Sequence, residues 1–259
     1  MKTFNIALLL LVASIASAQT VTTNVWQIGG GTTKVLDTYL SQEKFSGAGM
    51  TLLLTNERLR QDRQWSLMVE HEVNTSTVGD RADNREELQG SYTLLVGPLR
   101  RWQCQRLCLQ AGVMGATDVG FVYNTGNTNN PAQARLSLQA MPTLTAAYPI
   151  TLWHRPLVFR YELQLPLVGV MFSPNYGQSY YELFSLGNYD HNIVPTTFVS
   201  APNFRHLLSA EYPINKRMNV RITCMGNYQQ ASVNNLKSHI YHNRVMIGVV
   251  RRFTTLDRQ

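Results

Sequence analysis

The side chains of residues 157–168 divide by parity, with apolar residues on one parity and most polar residues on the other. The odd positions are apolar or aromatic, whereas the even positions include Arg160 and Glu162. A period of two predicts a β-strand with one apolar face and one polar face. The stretch is longer than the about six residues usual in soluble sheets, and a tilted strand needs about nine to eleven residues to cross a bilayer. The pattern therefore fits either a soluble sheet or a strand that faces lipid.

The same alternation recurs along most of the chain and predicts about ten strands, with eight or twelve as alternatives. Nine further segments show it, at residues 25–36, 48–54, 65–74, 88–96, 106–114, 135–145, 204–212, 219–229 and 242–253. Long polar connections are predicted at residues 75–87, 124–131, 172–203 and 232–238, and tight turns elsewhere, including a basic turn at residues 100–103. Alternating long and short connections are typical of transmembrane barrels. The predicted fold class is an all-β, single antiparallel transmembrane β-barrel.

Three local features refine this prediction. Pro142 cannot donate to a strand ladder, so we expect a bulge or a break there. Residues 180–186, inside the longest connection, could form a short strand of their own. Aromatic residues near the predicted strand ends would suit interfacial girdles, although aromatic residues also favour soluble strands. They are Trp26, Trp65, Trp102, Tyr148, Trp153, Tyr212 and Phe253.

The first residues predict a secretory signal peptide. Lys2 precedes a short apolar run at residues 6–15, and Ala16-Ser17-Ala18 supplies small residues for cleavage. We expect residues 1–18 to be removed and residues 19–259 to form one barrel domain. The rest of the sequence has no second long apolar run, so no transmembrane helix is predicted.

The chain resembles Gram-negative outer-membrane β-barrels over nearly all of its mature sequence. The last strand, residues 241–253, alternates hydrophobic residues and ends on aromatic Phe253, like the C-terminal strand that the assembly machinery recognises in such barrels. Six residues follow Phe253 here, which departs from that pattern. Residues 23–41 resemble a functionally uncharacterised outer-membrane protein family of the Bacteroides group. The resemblance implies a fold and an outer-membrane location, but no catalytic residues.

The full chain carries a formal net charge of +7. Such a balance suits acidic lipid head groups or lipopolysaccharide, or is ordinary surface charge. No basic run with interleaved aromatic residues indicates nucleic-acid binding. Cys104 and Cys108 are predicted to lie on one strand, about 13 Å apart, which is too far for a disulfide.

The polar faces of the predicted strands are rich in charge, and in a barrel these faces meet the lumen. Buried charges are costly unless they are paired, so we expect a salt-bridged and largely plugged interior that fixes register. The alternative is a narrow channel whose arginine-rich lining favours anions. The predicted lumen residues are Glu70, Glu72, Arg106, Arg135, Arg160, Glu162, Arg205, Glu211, Arg221 and Arg244.

The long connection at residues 172–203 is rich in aromatic residues, which are favoured at protein interfaces. They could bind a partner, or fold back and cap the barrel mouth. The candidate residues are Tyr176, Tyr180, Tyr181, Phe184, Tyr189 and Phe198.

Enzymatic motifs are missing from the sequence: there is no GxSxG elbow, phosphate loop, HExxH or spaced Cys/His set. A rim hydrolase remains the enzymatic alternative, with Asp190 and His191, or Ser238, His239 and His242, as candidates. Adjacent residues such as Asp190 and His191 point apart on an extended segment. We therefore predict a structural or accessory subunit of an outer-membrane complex. It contacts lipid, lipopolysaccharide and another outer-membrane protein, and needs neither metal nor cofactor.

Overall fold

The computed structural model describes residues 19–60, 64–128, 130–152, 155–215 and 217–256, and the predicted signal peptide lies outside them. No helix in these ranges is long and apolar enough to span a membrane. The elements are β1 (Gln19–Asp37), β2 (Phe45–Arg60), β3 (Trp65–Gly79), β4 (Glu86–Cys104), β5 (Leu107–Asn124), β6 (Ala132–Leu152), β7 (Arg155–Gln164), β8 (Val168–Phe172), α1 (Tyr180–Phe184), β9 (Ile193–Thr197), β10 (Phe204–Pro213), β11 (Met218–Val233) and β12 (Leu236–Leu256).

The strands close into one antiparallel barrel of ten wall strands, as predicted. The first six strands pair in chain order, and β1 pairs with β12 to close the sheet. The seventh wall strand consists of β7 followed by β8, which both pair with β6. The eighth consists of β9, which pairs with β8, followed by β10, which pairs with β7. Strands β11 and β12 complete the wall.

The period-two pattern sorts side chains onto the two faces of this wall. Along β3, polar residues alternate with apolar ones, and the polar set is buried inside while the apolar set is exposed outside. Ile28, Leu138 and Val245 are each more than half exposed on the outer face, at 52%, 56% and 61%. No second layer packs on them among the described residues. An exposed apolar band around a closed barrel is the surface that lipid covers.

Pro142 has its effect on the neighbouring strand. Strand β6 runs through Pro142 without interruption. Three residues, 165–167, separate β7 from β8 and face only Met141 and Pro142. The Leu165 amide donates to the Pro142 carbonyl oxygen at 3.0 Å. The expected bulge therefore exists, but it divides the predicted strand at residues 157–168 into two.

Several connections differ from the sequence prediction. Residues 100–103 lie in β4 rather than in a turn, and the hairpin bends at Gln105, which has a φ of 53°. Residues 75–79 continue β3 instead of beginning a loop. The predicted loop at residues 232–238 is a two-residue hairpin, with φ of 51° at Asn234 and 59° at Asn235. These strands continue into polar sequence because backbone hydrogen bonds to the neighbouring strand, rather than hydrophobicity, determine where each strand ends.

The cysteine geometry also differs from the prediction. Cys104 ends β4 and Cys108 lies in β5, so the two residues occupy opposite strands of a hairpin rather than one strand. Cys104, Cys108 and Cys224 carry free thiols.

The two ends of the barrel are unlike. One end, here called the turn end, carries both termini of the barrel and the short turns after β2, β4, β6 and β10. The other, the loop end, carries the connections after β1, β3, β5, β8 and β11. The aromatic residues predicted as girdles gather near the turn end, except that Trp153 lies outside the described residues. Trp65, Trp102, Tyr148, Tyr212 and Phe253 are all exposed there.

Candidate functional site

The lumen is crossed at mid-height by a group of charged side chains, here called the central cluster: Arg205, Glu70, Glu72 and Glu162. The Arg205 Nε donates to Glu72 Oε2 at 2.8 Å, and its Nη1 donates to Glu70 Oε2 at 3.0 Å. Glu162 Oε1 lies 3.8 Å from the same Nη1. All four residues are buried. The β10 guanidinium thus reaches across the barrel to two adjacent inward positions of β3.

Amide side chains complete this cluster. Gln164 Nε2 donates to Glu162 Oε1 at 2.8 Å, and Asn74 and Asn227 donate to Glu72 Oε1 at 2.8 and 3.2 Å. Arg160 Nη2 approaches Glu162 Oε2 at 3.5 Å. Buried carboxylates lose much of their hydration, and these donors replace it with hydrogen bonds.

A second ion-pair group lies nearer the turn end. Glu211 on β10 binds Arg221 on β11, whose Nε donates to Glu211 Oε1 at 3.1 Å. Arg252 on β12 donates to Glu211 Oε2 at 2.6 Å. Arg252 was not among the predicted lumen residues, although it has the inward parity of Arg244 and Met246 and lies three inward positions beyond Met246. The signal was therefore available in the pattern of the last strand.

Three of the predicted lumen residues are not in either group. Arg106 lies in the turn between β4 and β5 rather than on a strand face, where it is exposed and lines the turn-end opening of the lumen. Arg135 donates to Ser238 and Gln229. Arg244 donates to hydroxyl and carbonyl oxygens; its partners are Thr32, Thr33, Thr51, Ser76 and Asn243. Neutral partners rather than carboxylates satisfy these last two guanidinium groups.

Some inward strand positions carry apolar side chains, which form two apolar clusters inside the barrel. These clusters were not predicted from the sequence. One cluster joins β3, β4, β5 and β6 and contains Met68, Leu95, Leu99, Met114, Ala116 and Met141. The other contains Leu53, Leu207, Met225 and Met246. Methionine fills irregular gaps well. Met68, Met141 and Met246 stand among the polar residues of the inward-facing positions of their strands. These methionines were the feature of the sequence that could have indicated apolar clusters in the lumen.

Two cavities lie on either side of the central cluster. The turn-end cavity measures about 420 Å³, and Glu70 and Glu162 are among its lining residues. The loop-end cavity measures about 70 Å³ and is lined in part by Arg205. Since Arg205 binds both carboxylates, the central cluster lies between the two spaces.

An apolar cluster fills the loop-end mouth above the smaller cavity. It consists of Val35, Leu40, Phe45, Val78, Val122 and Ile240, with Tyr39 packed against it. Burial, and next the Asp37 carboxylate, raise the pKa of the Tyr39 phenol to about 12. Tyr39 and Tyr180 meet edge to face with ring centroids 5.7 Å apart. The mouth is thus continuous with the long connection between β8 and β9.

The long connection is built around α1. Ser179 caps the helix by accepting from the Glu182 amide, and Glu182 Oε2 accepts from the Ser179 amide at 2.7 Å. This capping box lowers the pKa of the Glu182 carboxyl through the Ser179 amide. The short strand predicted at residues 180–186 was wrong. The S-x-x-E spacing of Ser179 and Glu182 is typical of a helix N-terminus and is visible in the sequence.

Tyr180 anchors α1 to the barrel. Its hydroxyl accepts from the Ala134 amide at 2.6 Å and donates to Gln133 Oε1 at 3.0 Å. Burial raises the pKa of this phenol above its ordinary value, so the group stays protonated as a donor. Leu183, on the same helix, is completely buried.

The other candidate aromatic residues of the connection point into solvent. Tyr181 and Phe184 are 66% and 65% exposed, and Tyr176 and Tyr189 are similarly exposed. Phe198 follows β9 and is 43% exposed. The sequence left open whether these aromatic residues bind a partner or cap the barrel mouth. Tyr180 caps the mouth, whereas the other aromatic residues are exposed. We call Tyr176, Tyr181, Phe184, Leu186 and Tyr189 the loop surface.

The candidate catalytic residues do not assemble. Asp190 and His191 form an ion pair at 2.6 Å, contrary to the expectation that they point apart, because His191 adopts a φ of 55°. Both side chains are more than three-quarters exposed. Ser238 accepts from Arg135 inside the barrel, whereas His239 stacks on Tyr241 outside. Ser238 and His242 are four positions apart along β12, a span of about 13 Å.

Comparison with known protein families assigns the chain to one of them. Residues 6–259 match the family described as "Protein of unknown function (DUF3316)". The chain belongs to this family. No curated protein matches it.

Solved outer-membrane barrels resemble the chain in architecture. The translocator domain of the autotransporter NalP from Neisseria meningitidis is 12% identical, with a TM-score of 0.39, over 95% of this chain and 92% of that one. The transport unit of the autotransporter AIDA-I from Escherichia coli is 8% identical, with a TM-score of 0.43, over 93% and 92%. The outer membrane protease OmpT from Escherichia coli is 8% identical, with a TM-score of 0.42, over 92% and 98%. The likeness concerns the barrel alone.

Proposed function

We propose that this protein is an integral barrel of a Gram-negative outer membrane that acts as an accessory subunit of a membrane complex. The exposed apolar band and closed wall support insertion into lipid. Short turns face the periplasm in such barrels and long connections face outward, which assigns the turn end to the periplasm. The likeness of residues 23–41 to outer-membrane proteins of the Bacteroides group supports a source within that group.

The proposal includes a lumen that does not conduct. The central cluster, the two apolar clusters and the cluster at the mouth all occupy the path through the barrel. A channel would require a continuous polar route, and the position of these groups supports a closed lumen over the alternative of an anion-leaning pore. The rim hydrolase alternative has an exposed Asp190–His191 pair but no nucleophile in contact with it.

The exposed aromatic residues of the loop surface are the observation that best supports an accessory role. Tyr181 and Phe184 stand out from α1, while Tyr180 and Leu183 of the same helix are fixed against the barrel. Aromatic side chains on a fixed framework lose little conformational freedom on binding, and exposed apolar patches mark interaction sites. We propose that a second outer-membrane protein covers this surface.

Site-specific photo-crosslinking in the native host tests the docking role. A photoreactive residue at position 184 should give one discrete crosslinked species, because the partner covers the loop surface. The matched control is position 121, where Phe121 is exposed on the outer wall. Crosslinks of equal yield and size at both positions, or only the uncrosslinked monomer at position 184, would rule out a dedicated partner there.

A paired variant checks that the contact is specific. Tyr181→Ala combined with Phe184→Ala, without a photoreactive residue, should abolish co-purification of the partner identified by crosslinking after mild detergent extraction. The control is Ile214→Ala, which removes an exposed apolar side chain at the opposite end of the barrel. Retention of the partner by the double variant contradicts the proposal.

A further inference from the structure

Arginine residues surround the outside of the barrel at the turn end. These arginines include Arg58, Arg100, Arg155, Arg217 and Arg251, which lie on outward strand positions or in the turns there. We call this set the arginine belt. Arg100 also lies over the Trp102 ring, 5.4 Å from its centroid.

The described carboxylates at this end do not neutralise the belt. Glu57 accepts from Gln110 inside the barrel, and Glu211 is occupied by Arg221 and Arg252. Both carboxylates therefore face the lumen, while the belt faces outward. Among the described residues, no carboxylate forms an ion pair with Arg58, Arg100, Arg155, Arg217 or Arg251.

One part of the belt forms a groove. A space of about 370 Å³ on the outer wall is lined by Trp26, Asn215, Arg217, Met218, Val249 and Arg251. Trp26 is 44% exposed and pairs with Val249 on the neighbouring strand. Arg251 pairs with Met218, so the groove combines two guanidinium groups with an indole and an apolar floor.

The backbone of the groove is held in place without using these guanidinium groups. Asn215 Oδ1 accepts from the Arg217 and Met218 amides at 2.9 Å each. The Arg252 amide donates to the Arg217 carbonyl oxygen at 3.1 Å. Among the described residues, neither the Arg217 nor the Arg251 side chain forms an ion pair. The two cations are consequently available to an external anion.

We propose that this groove binds the phosphate head group of an anionic glycerophospholipid in the leaflet next to the turn end. Guanidinium groups match phosphate geometry with paired hydrogen bonds, and tryptophan prefers the level of lipid head groups. The acyl chains lie along the apolar wall below Trp26. The inference rests on the proposed membrane location, and charge complementarity selects a lipid phosphate as the occupant.

Lipid binding to the full mature protein, purified in a zwitterionic detergent, tests this site. Phosphatidylglycerol and phosphatidylcholine of the same acyl chains are titrated separately, and bound lipid is counted by native mass spectrometry. The wild type should retain phosphatidylglycerol about 25-fold more tightly than phosphatidylcholine, since each of the two basic side chains near an anionic head group contributes about fivefold. Equal retention of both lipids overturns the proposal and leaves an acidic protein as the occupant of the belt.

Paired variants locate the site within the belt. Arg217→Gln with Arg251→Gln should lose the preference for phosphatidylglycerol, whereas Arg217→Lys with Arg251→Lys should keep part of it. The control pair, Lys34→Gln with Lys237→Gln, removes the same charge from exposed positions towards the loop end and should bind as the wild type does. An unchanged preference in the first pair overturns the assignment of the groove.

The outcome also distinguishes this inference from the proposed function. A protein that does not enter lipid nanodiscs would contradict the membrane location itself. A protein that enters nanodiscs normally but shows no preference for phosphatidylglycerol would contradict only the groove.

Discussion

The Arg205 guanidinium and the Glu72 carboxylate meet across the lumen, with Nε 2.8 Å from Oε2, although 133 residues separate them in the chain. Arg205→Met removes the cation and leaves three carboxylates buried around an apolar side chain. Breaking a buried ion pair in this way costs about 3–5 kcal/mol, so the free energy of unfolding should fall by that amount. Denaturant unfolding in detergent micelles, followed by tryptophan fluorescence, measures it.

Arg106→Met is the matched control for this measurement. Arg106 lies exposed in a turn, and surface substitutions change stability by about 0.5 kcal/mol or less. If Arg205→Met and Arg106→Met are equally stable, the central cluster does not hold the barrel together.

Conductance in planar bilayers tests whether the central cluster closes the lumen. The wild type should give no discrete current steps. Arg205→Ala combined with Glu72→Ala removes the two side chains that join β10 to β3, so the cavities on either side should connect and current steps should appear. Glu211→Ala with Arg221→Ala removes an ion pair between neighbouring strands and should stay silent. Steady current through the wild type contradicts a closed lumen.

The Tyr180 hydroxyl should hold α1 against the barrel. Tyr180→Phe removes a donor to Gln133 and an acceptor for the Ala134 amide. A lost hydrogen bond of this kind is worth about 1 kcal/mol, so amide exchange in α1 should be about fivefold faster. Hydrogen–deuterium exchange with mass spectrometry reports it, and Tyr181→Phe, at an exposed ring, should leave the rate unchanged. Equal rates in both variants would show that other contacts hold the helix.

Acid should loosen the same helix through its capping box. The folded-state pKa of Glu182 lies below its ordinary value of 4.5, so the stabilisation is present above that value and is lost as pH falls through the folded pKa. Exchange in α1 should therefore accelerate as the pH falls below the ordinary value of 4.5, after correction for intrinsic rates. In Glu182→Gln this acceleration should be absent. An identical pH profile in the variant and the wild type contradicts the role of the carboxylate.

Cysteine labelling tests which face meets lipid. Cys224 is exposed on the outer wall of β11, where it pairs with Val245, whereas Cys104 is exposed at the turn end. In nanodiscs, a charged maleimide should label Cys104 at least about tenfold faster than Cys224, because a charged reagent enters hydrocarbon only at a high cost in free energy. Single-cysteine variants measured by mass spectrometry separate the sites. Equal rates in nanodiscs contradict a lipid-covered wall.

Strand identity and strand faces were predictable from the sequence because a side-chain period of two is a local property. The stretch from Ser66 to Asn74 illustrates this, since its polar parity lies inside and its apolar parity outside as predicted. Strand ends were less predictable. Residues 100–103 were predicted as a turn because they are basic and polar. Arg100 lies in β4 because the strand pairing with β3 continues beyond the apolar band. Residues 180–184 form a helix because the Ser179–Glu182 capping box outweighs their aromatic composition.

The alternating sequence by itself determined a wall of about ten strands with charges on one face and hydrocarbon-like side chains on the other. Only the closed tertiary structure decided that Arg205 meets Glu70 and Glu72 while Arg135 and Arg244 meet neutral oxygens. It also decided that Tyr180 turns inward while Tyr181 faces solvent. The physical reason is that contacts across a lumen depend on the stagger and tilt with which the strands close, and no local spacing encodes them.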